Sequence, residues 1–179
     1  MNTNAIKTFA IEARKNLMQG AKAKLHQWGF DEKGNVLVEL GTTHGGYNFR
    51  NEVYRDETVP PKWKKLKSKI KSGEKIDEII EEAAYTWFNR FMAIKILEKN
   101  NYISPVLEFS EGTRTPMIVQ NAKKGMHELN DKNDNNQLND YLQNDQEALA
   151  FNLLITRYCN QFPLLKHVFG RIDDYTELL

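Results

Sequence analysis

The sequence is poor in the residues that usually announce a function. It has one cysteine, Cys159, which excludes an internal disulfide framework and a cysteine-rich zinc cluster. The apolar residues around Cys159 suit a small buried thiol better than a nucleophile. Charge of either sign is not in surplus: 25 basic and 24 acidic side chains leave a formal +1, so affinity for a polyanion must come from a local patch. No apolar run reaches the roughly 20 uninterrupted residues that a bilayer requires. A leader with a long apolar centre and a small-residue cleavage site is also missing, so a soluble, cytoplasmic protein without a membrane partner is expected. His26, His44, His127 and His167 fall on separate segments with no HExxH spacing, and no metal site is indicated. There is no GxSxG, no Walker lysine and no dinucleotide glycine spacing, so Thr42-Thr43-His44-Gly45-Gly46 reads as an ordinary turn.

What is present is helical periodicity, and the chain length of 179 residues suits a single domain, 1–179. The expected fold is mainly α, organised around one long buried central helix at about residues 74–100, with a small β-hairpin at about 36–54. In the central stretch, Ile76, Ile79, Ile80, Ala83 and Ala84 are separated by acids, as on a helix with one covered face. From Ala83 to Leu97 apolar and aromatic residues fall on every side, which predicts a helix surrounded by protein. Arg90 projects within the arc of Ala83, Trp87 and Ile94, where its guanidinium needs Glu98, Asp31 or a ring face to offset desolvation.

Before it, Asn2–Trp28 reads as a first helix, with Ile6, Phe9, Ala10, Ala13, Leu17, Ala21, Leu25 and Trp28 at three- and four-residue steps. The alternation Val36-Leu37-Val38-Glu39-Leu40 predicts the first strand of the hairpin, with the second inside Tyr47–Tyr54. After it, Asn100-Asn101 and Pro105 end the central helix. Ser104–Asn121 reads as an ordered excursion, Ala122–Leu129 as a helical turn or more, and Asn130–Asp145 as either a polar helix or a loop. Gln146–Phe162 is helical again until Pro163 stops it.

Seven lysines, Lys62, Lys64, Lys65, Lys67, Lys69, Lys71 and Lys75, stand against one acid, Glu74, in KWKKLKSKIKSGEK. Trp63, Leu66 and Ile70 recur at helical spacing there, so a short amphipathic helix docks on the core while lysines face water. Such a face can bind a phosphate backbone through counterion release without reading sequence, or it can be merely solvated. Lys7, Arg14 and Lys22 share one side of the first helix and form a secondary candidate of the same kind. Glu81 and Glu82 project to different sides of their helix, a wet face and not an acid/base dyad. From its residues alone the chain is a helical binding or docking domain.

The opening MNTNAIKTFAIEARK, the core AAYTWFNRFMAIKILEKNNYI and the closing DDYTELL, in this order, resemble the N-terminal part of the PglX family. These are adenine-specific DNA methyltransferases of BREX phage-defence systems, similar to type IIG and type I modification enzymes. The resemblance implies that the chain is the N-terminal helical domain of a longer enzyme that transfers a methyl group from S-adenosylmethionine to adenine N6. It departs from the family where chemistry is concerned. Neither the cofactor-binding glycine motif nor the Asn/Asp-Pro-Pro-Tyr/Phe motif occurs, and the one Pro-Pro, Pro60-Pro61, stands between Val59 and Lys62. No catalytic residue is therefore carried over and no cofactor is expected in this segment. The implied partners are the C-terminal methyltransferase domain of the same protein, the backbone of double-stranded DNA, and other defence proteins. The alternative is a module that binds only protein, for which an uncovered apolar patch is expected at Leu164–Leu179.

Overall fold

The computed structural model describes residues 3–71, 75–127, 129–157, 159–161, 163–169 and 175–179. Ser72-Gly73, between the lysine-rich stretch and the central helix, lies outside the described residues, and so does the side chain of Cys159. Seven α-helices and three short strands are described: α1 (Thr3–Gln27), β1 (Gly41–Thr43), β2 (Gly46–Phe49), β3 (Glu52–Tyr54), α2 (Val59–Lys71), α3 (Ile76–Lys99), α4 (Met117–Lys123), α5 (Lys132–Gln143), α6 (Glu147–Arg157) and α7 (Pro163–Phe169). The fold is mainly α, as the periodicity predicts. The residues sort into two compact units, Met1–Phe88 with Arg171–Leu179, and Asn89–Gly170.

In the first unit α1 ends at Gly29, whose φ of 85° is the left-handed conformation that glycine adopts at little cost. The Gly29 amide donates to the His26 carbonyl at 3.0 Å and the Phe30 amide to Leu25 at 3.2 Å, the paired bonds of a Schellman turn. The antiparallel sheet is ordered β1-β2-β3, with Thr42 opposite Tyr47 and Tyr47 opposite Tyr54. The small antiparallel element expected at about 36–54 is present, but its first strand is not the expected one. Val36–Leu40 forms no strand; only Val36 makes an isolated bridge, to Phe30, and the sheet begins at Gly41. The reason is visible in the chain. The Gly29 carbonyl accepts from the amides of both Leu37 and Val38, at 2.7 and 3.2 Å, so the segment wraps the end of α1 and does not pair with a strand. Arg50 and Asn51 both have positive φ, the two-residue turn that matches strand twist, and no glycine announced it.

The core of this unit is aromatic. Phe30 and Trp63 rings pack at 5.4 Å, Trp28 lies 5.9 Å from Phe49, and Leu25, Leu66, Ile79 and Ala83 close around them. The C-terminal 3-10 turn, Tyr175–Leu178, is buried in the same core. The indole nitrogen of Trp28 donates to Leu178 O at 2.8 Å, and that of Trp87 to Thr176 O at 3.0 Å. Of the stretch Leu164–Leu179, where an uncovered apolar patch is expected, Leu164 is exposed and Leu165 and Tyr175–Leu179 are buried, while the side chains of residues 167–174 lie outside the described residues.

α3 begins with Asp77 and Glu78 in its first turn, where carboxylates suit the positive end of the helix dipole. It ends in a second Schellman turn, with Asn101 at φ 58° and the Tyr102 amide on Leu97 O at 2.9 Å. Its burial follows one stripe: Ile79, Ile80, Ala83, Ala84, Arg90, Ile94 and Glu98. This corrects the expectation of a helix covered all round, since Tyr85 and Ile96 are 68% and 55% exposed. Aromatic residues on several sides did not mean burial on every side. The same holds in the first half of α1, where Ile6, Phe9 and Ile11 are exposed and only Ala21 and Leu25, further along, are buried.

In the second unit, α4 starts at Met117, five residues earlier than the expected turn at Ala122, because the Met117 amide reaches Glu108 O and the Ile118 amide Val106 O. Glu98 accepts from the amides of Val106 and Leu107 and pairs with Lys95 at 2.9 Å. Arg90, 2% exposed, is itself engaged within the protein. The Asn/Asp-rich segment resolves as helix α5: Asp131 caps it by accepting from the amides of Asn133 and Asp134, and Leu138 is its buried anchor. α6 stops at Arg157 and not at Phe162, followed by a 3-10 turn, Cys159–Gln161. Pro163 then opens α7, a first-turn position where its missing N–H costs nothing.

Candidate nucleic-acid interface

Helix α2 has thirteen residues, and its first turn holds Val59-Pro60-Pro61. Prolines fit there because first-turn amides have no intrahelical acceptor. At about 100° per residue, Val59, Lys62, Trp63, Leu66 and Ile70 fall in one arc, and Lys64, Lys65, Ser68 and Lys71 in the opposite one. The first arc is the docked face: Trp63 is 2% exposed and Leu66 fully buried. The Trp63 indole donates to Trp28 O at 3.0 Å, which fixes the helix rotationally.

That rotation divides the seven lysines. Lys62 is on the inner face, 6% exposed, with its ammonium 3.0 Å from the buried carboxylate of Glu177. It is an internal ion pair and no longer belongs to the surface set. Lys67 and Lys69 stand on the two edges of the helix. Lys67 pairs with Glu39 and lies 5.2 Å from the Trp63 ring centroid; Lys69 pairs with Glu82 at 3.2 Å and lies 4.8 Å from the Tyr175 ring. Each ring contact is worth about 0.5–1 kcal/mol at an exposed site, so both ammonium groups are drawn back toward the helix. Lys75 sits 3.9 Å from Glu78 one turn on. Lys64, Lys65 and Lys71 are exposed on the outer face. Glu82 also accepts from the Tyr175 hydroxyl, and burial, then this bond, holds the phenol well above its ordinary pKa.

The secondary candidates separate in a similar way. Lys7 is exposed, Arg14 pairs with Glu81 and Lys22 with Glu32 at 3.0 Å. Arg14 and Glu81 also border a groove of about 420 Å³ between α1 and α3, with Ala10, Ala84, Tyr85 and Phe88 as its apolar lining. Nothing in the periodicity marked this groove; its signal was the excess of apolar residues on α1 and α3 over what one stripe can bury. Among the described residues no three His, Cys, Asp or Glu side chains gather as a metal site, and no helix is long and apolar enough to cross a membrane.

The class that fold and surface define is a helical domain whose features are a lysine-faced helix and an apolar groove. No family model matches the chain. It is similar over its whole length to the adenine-specific methyltransferase PglX of Lacticaseibacillus casei (strain Zhang), 26% identical over 197 aligned residues that make up 16% of that protein. It is likewise 26% identical over 186 aligned residues, 15% of the relative, to the adenine-specific methyltransferase BrxX of Escherichia coli O9:H4 (strain HS). The resemblance read from the opening, central and closing stretches is therefore accompanied by similarity to two such proteins over the whole chain. The chain spans about one-sixth of the length of these curated relatives.

Proposed function

We propose that this chain is the N-terminal helical domain of a BREX-type adenine-specific DNA methyltransferase, and that it helps to hold duplex DNA while packing against the catalytic part. The observation that carries the reading is full-length similarity to one-sixth of two adenine-specific methyltransferases. Methyl transfer from S-adenosylmethionine then belongs to the remainder of the parent protein. The residues present do not fit that cofactor or its chemistry: the one Pro-Pro is locked in the first turn of α2 and is followed by the buried Lys62. Lys64, Lys65 and Lys71 form the surface that supports DNA contact. They carry charge without base-reading geometry, so they would steady the backbone and leave sequence choice to other parts.

The test is duplex binding by the chain across a salt series. Three lysine–phosphate contacts give log K against log salt a slope of about −3. Lys64→Glu, Lys65→Glu and Lys71→Glu together should abolish binding. Unchanged binding by the triple variant, or none by the parent chain, defeats the reading.

The second reading, a module with protein partners only, is favoured by the exposed apolar groove between α1 and α3. Its occupant would be the methyltransferase part of the same protein. Pull-down of that remainder by a chain that binds no DNA would favour it.

A further inference from the structure

We propose that Glu39 and Glu82 withhold Lys67 and Lys69 from DNA, so that α2 presents its phosphate-binding face at less than full charge. This rests on the DNA reading above and adds a control to it. Around α2 the basic side chains span a wide arc, with Lys64 and Lys71 near its centre and Lys67 and Lys69 at its two edges. A helix laid along a duplex groove meets phosphate rows on both of its edges. Both edge lysines are the ones held by carboxylates from neighbouring segments: Glu39 precedes β1 and Glu82 comes from α3. The lysine side chains are only 22% and 29% exposed, whereas their partners Glu39 and Glu82 are 64% and 46% exposed. The ammonium groups are thus sheltered while the carboxylates that hold them stay in reach of solvent, so solvent weakens each pair without dissolving it. Glu82 is the firmer of the two, since the Tyr175 hydroxyl also donates to it.

The experiment compares the salt dependence of duplex binding by the chain and by its Glu39→Gln/Glu82→Gln variant. Glutamine keeps an acceptor for Tyr175 and removes the charge. Freeing two lysines should steepen the slope by about 2, so that between about 50 and 200 mM salt the variant loses roughly ten-fold more affinity than the parent. A Glu108→Gln/Glu111→Gln variant, with the same change in net charge at exposed positions in the other unit, should keep the parent slope. Equal slopes for parent and Glu39/Glu82 variant overturn it while the DNA reading stands, and equal steepening by the control overturns it as a mere effect of net charge. Absence of binding by every protein overturns the DNA reading and this proposal with it.

Discussion

The two faces of α2 hold the same residue type in different physical states. Lys62 and Lys64 are two positions apart, yet one is 6% exposed against Glu177 and the other stands in solvent. The helix period alone separates them, because about 200° of rotation carries a side chain from the core to water. A run of lysines is thus no measure of available charge. On the inner face the Lys62 ammonium is part of the packing and depends on its carboxylate, and on the outer face the Lys64 ammonium stands in water, within reach of a polyanion.

Breaking the inner pair gives the largest expected effect. Lys62→Ala leaves the buried Glu177 carboxylate without its ammonium and should cost roughly 3 kcal/mol, whereas Lys64→Ala should stay within about 0.5 kcal/mol. Urea unfolding at neutral pH reads both. Adding Glu177→Gln to Lys62→Met should restore much of the loss, since neutralising both partners removes the uncompensated charge. If Lys62→Ala is no more costly than Lys64→Ala, the inner face is not what the burial says it is.

The second unit offers a parallel comparison, between a buried carboxylate that satisfies amides and a solvated one that does not. Glu98→Ala strips the acceptor from the amides of Val106 and Leu107. With two amide groups left unpaired in and beside the core, a cost of about 2–3 kcal/mol is expected, and hydrogen exchange at Val106 and Leu107 should accelerate. Glu108→Ala, on the exposed side of the same segment, should leave both readouts near those of the parent. Retained protection at Val106 in the Glu98 variant would show that the carboxylate does not hold this turn.

Much of the fold is legible from periodicity, since a 3.6-residue repeat is a local property of the chain. The span of α3, its close at Asn100-Asn101 and the docking of Trp63, Leu66 and Ile70 all follow from it. The failures have a common cause. Val36–Leu40 alternates like a strand but gives two amides to the Gly29 carbonyl, and α4 starts early because Glu108 and Val106 supply acceptors. Both depend on which distant backbone groups come near, and no local pattern records that. At the candidate site the lysine helix was legible and its division was not. Glu39, Glu82 and Glu177 lie 28, 13 and 115 positions from their lysines, counting from Lys67, Lys69 and Lys62, so only folding brings them together.

The smallest expected effect sharpens the contrast from the solvated side. Glu147 accepts from Lys123 and, at 2.8 Å, from the Thr115 hydroxyl, so it ties α6 to α4 and to the segment before it. The bonds to Lys123 and then Thr115 hold its carboxyl below the ordinary 4.5, while the Glu147 carboxylate raises Lys123 above 10.5. The signs follow from linkage. The lowered carboxyl contributes stability that is complete above pH 4.5 and is lost as pH falls through the folded value; the raised amine contributes below pH 10.5 and loses it as pH rises further. Both groups are over a third exposed, so water screens the pair strongly. Glu147→Gln should therefore lower the Tm at pH 7 by no more than about 2 °C, and the difference from the parent should shrink as the pH is taken below 4.5. A drop comparable to that of Lys62→Ala, or a gap that widens in acid, would mean that this surface carboxylate behaves like the buried one against Lys62.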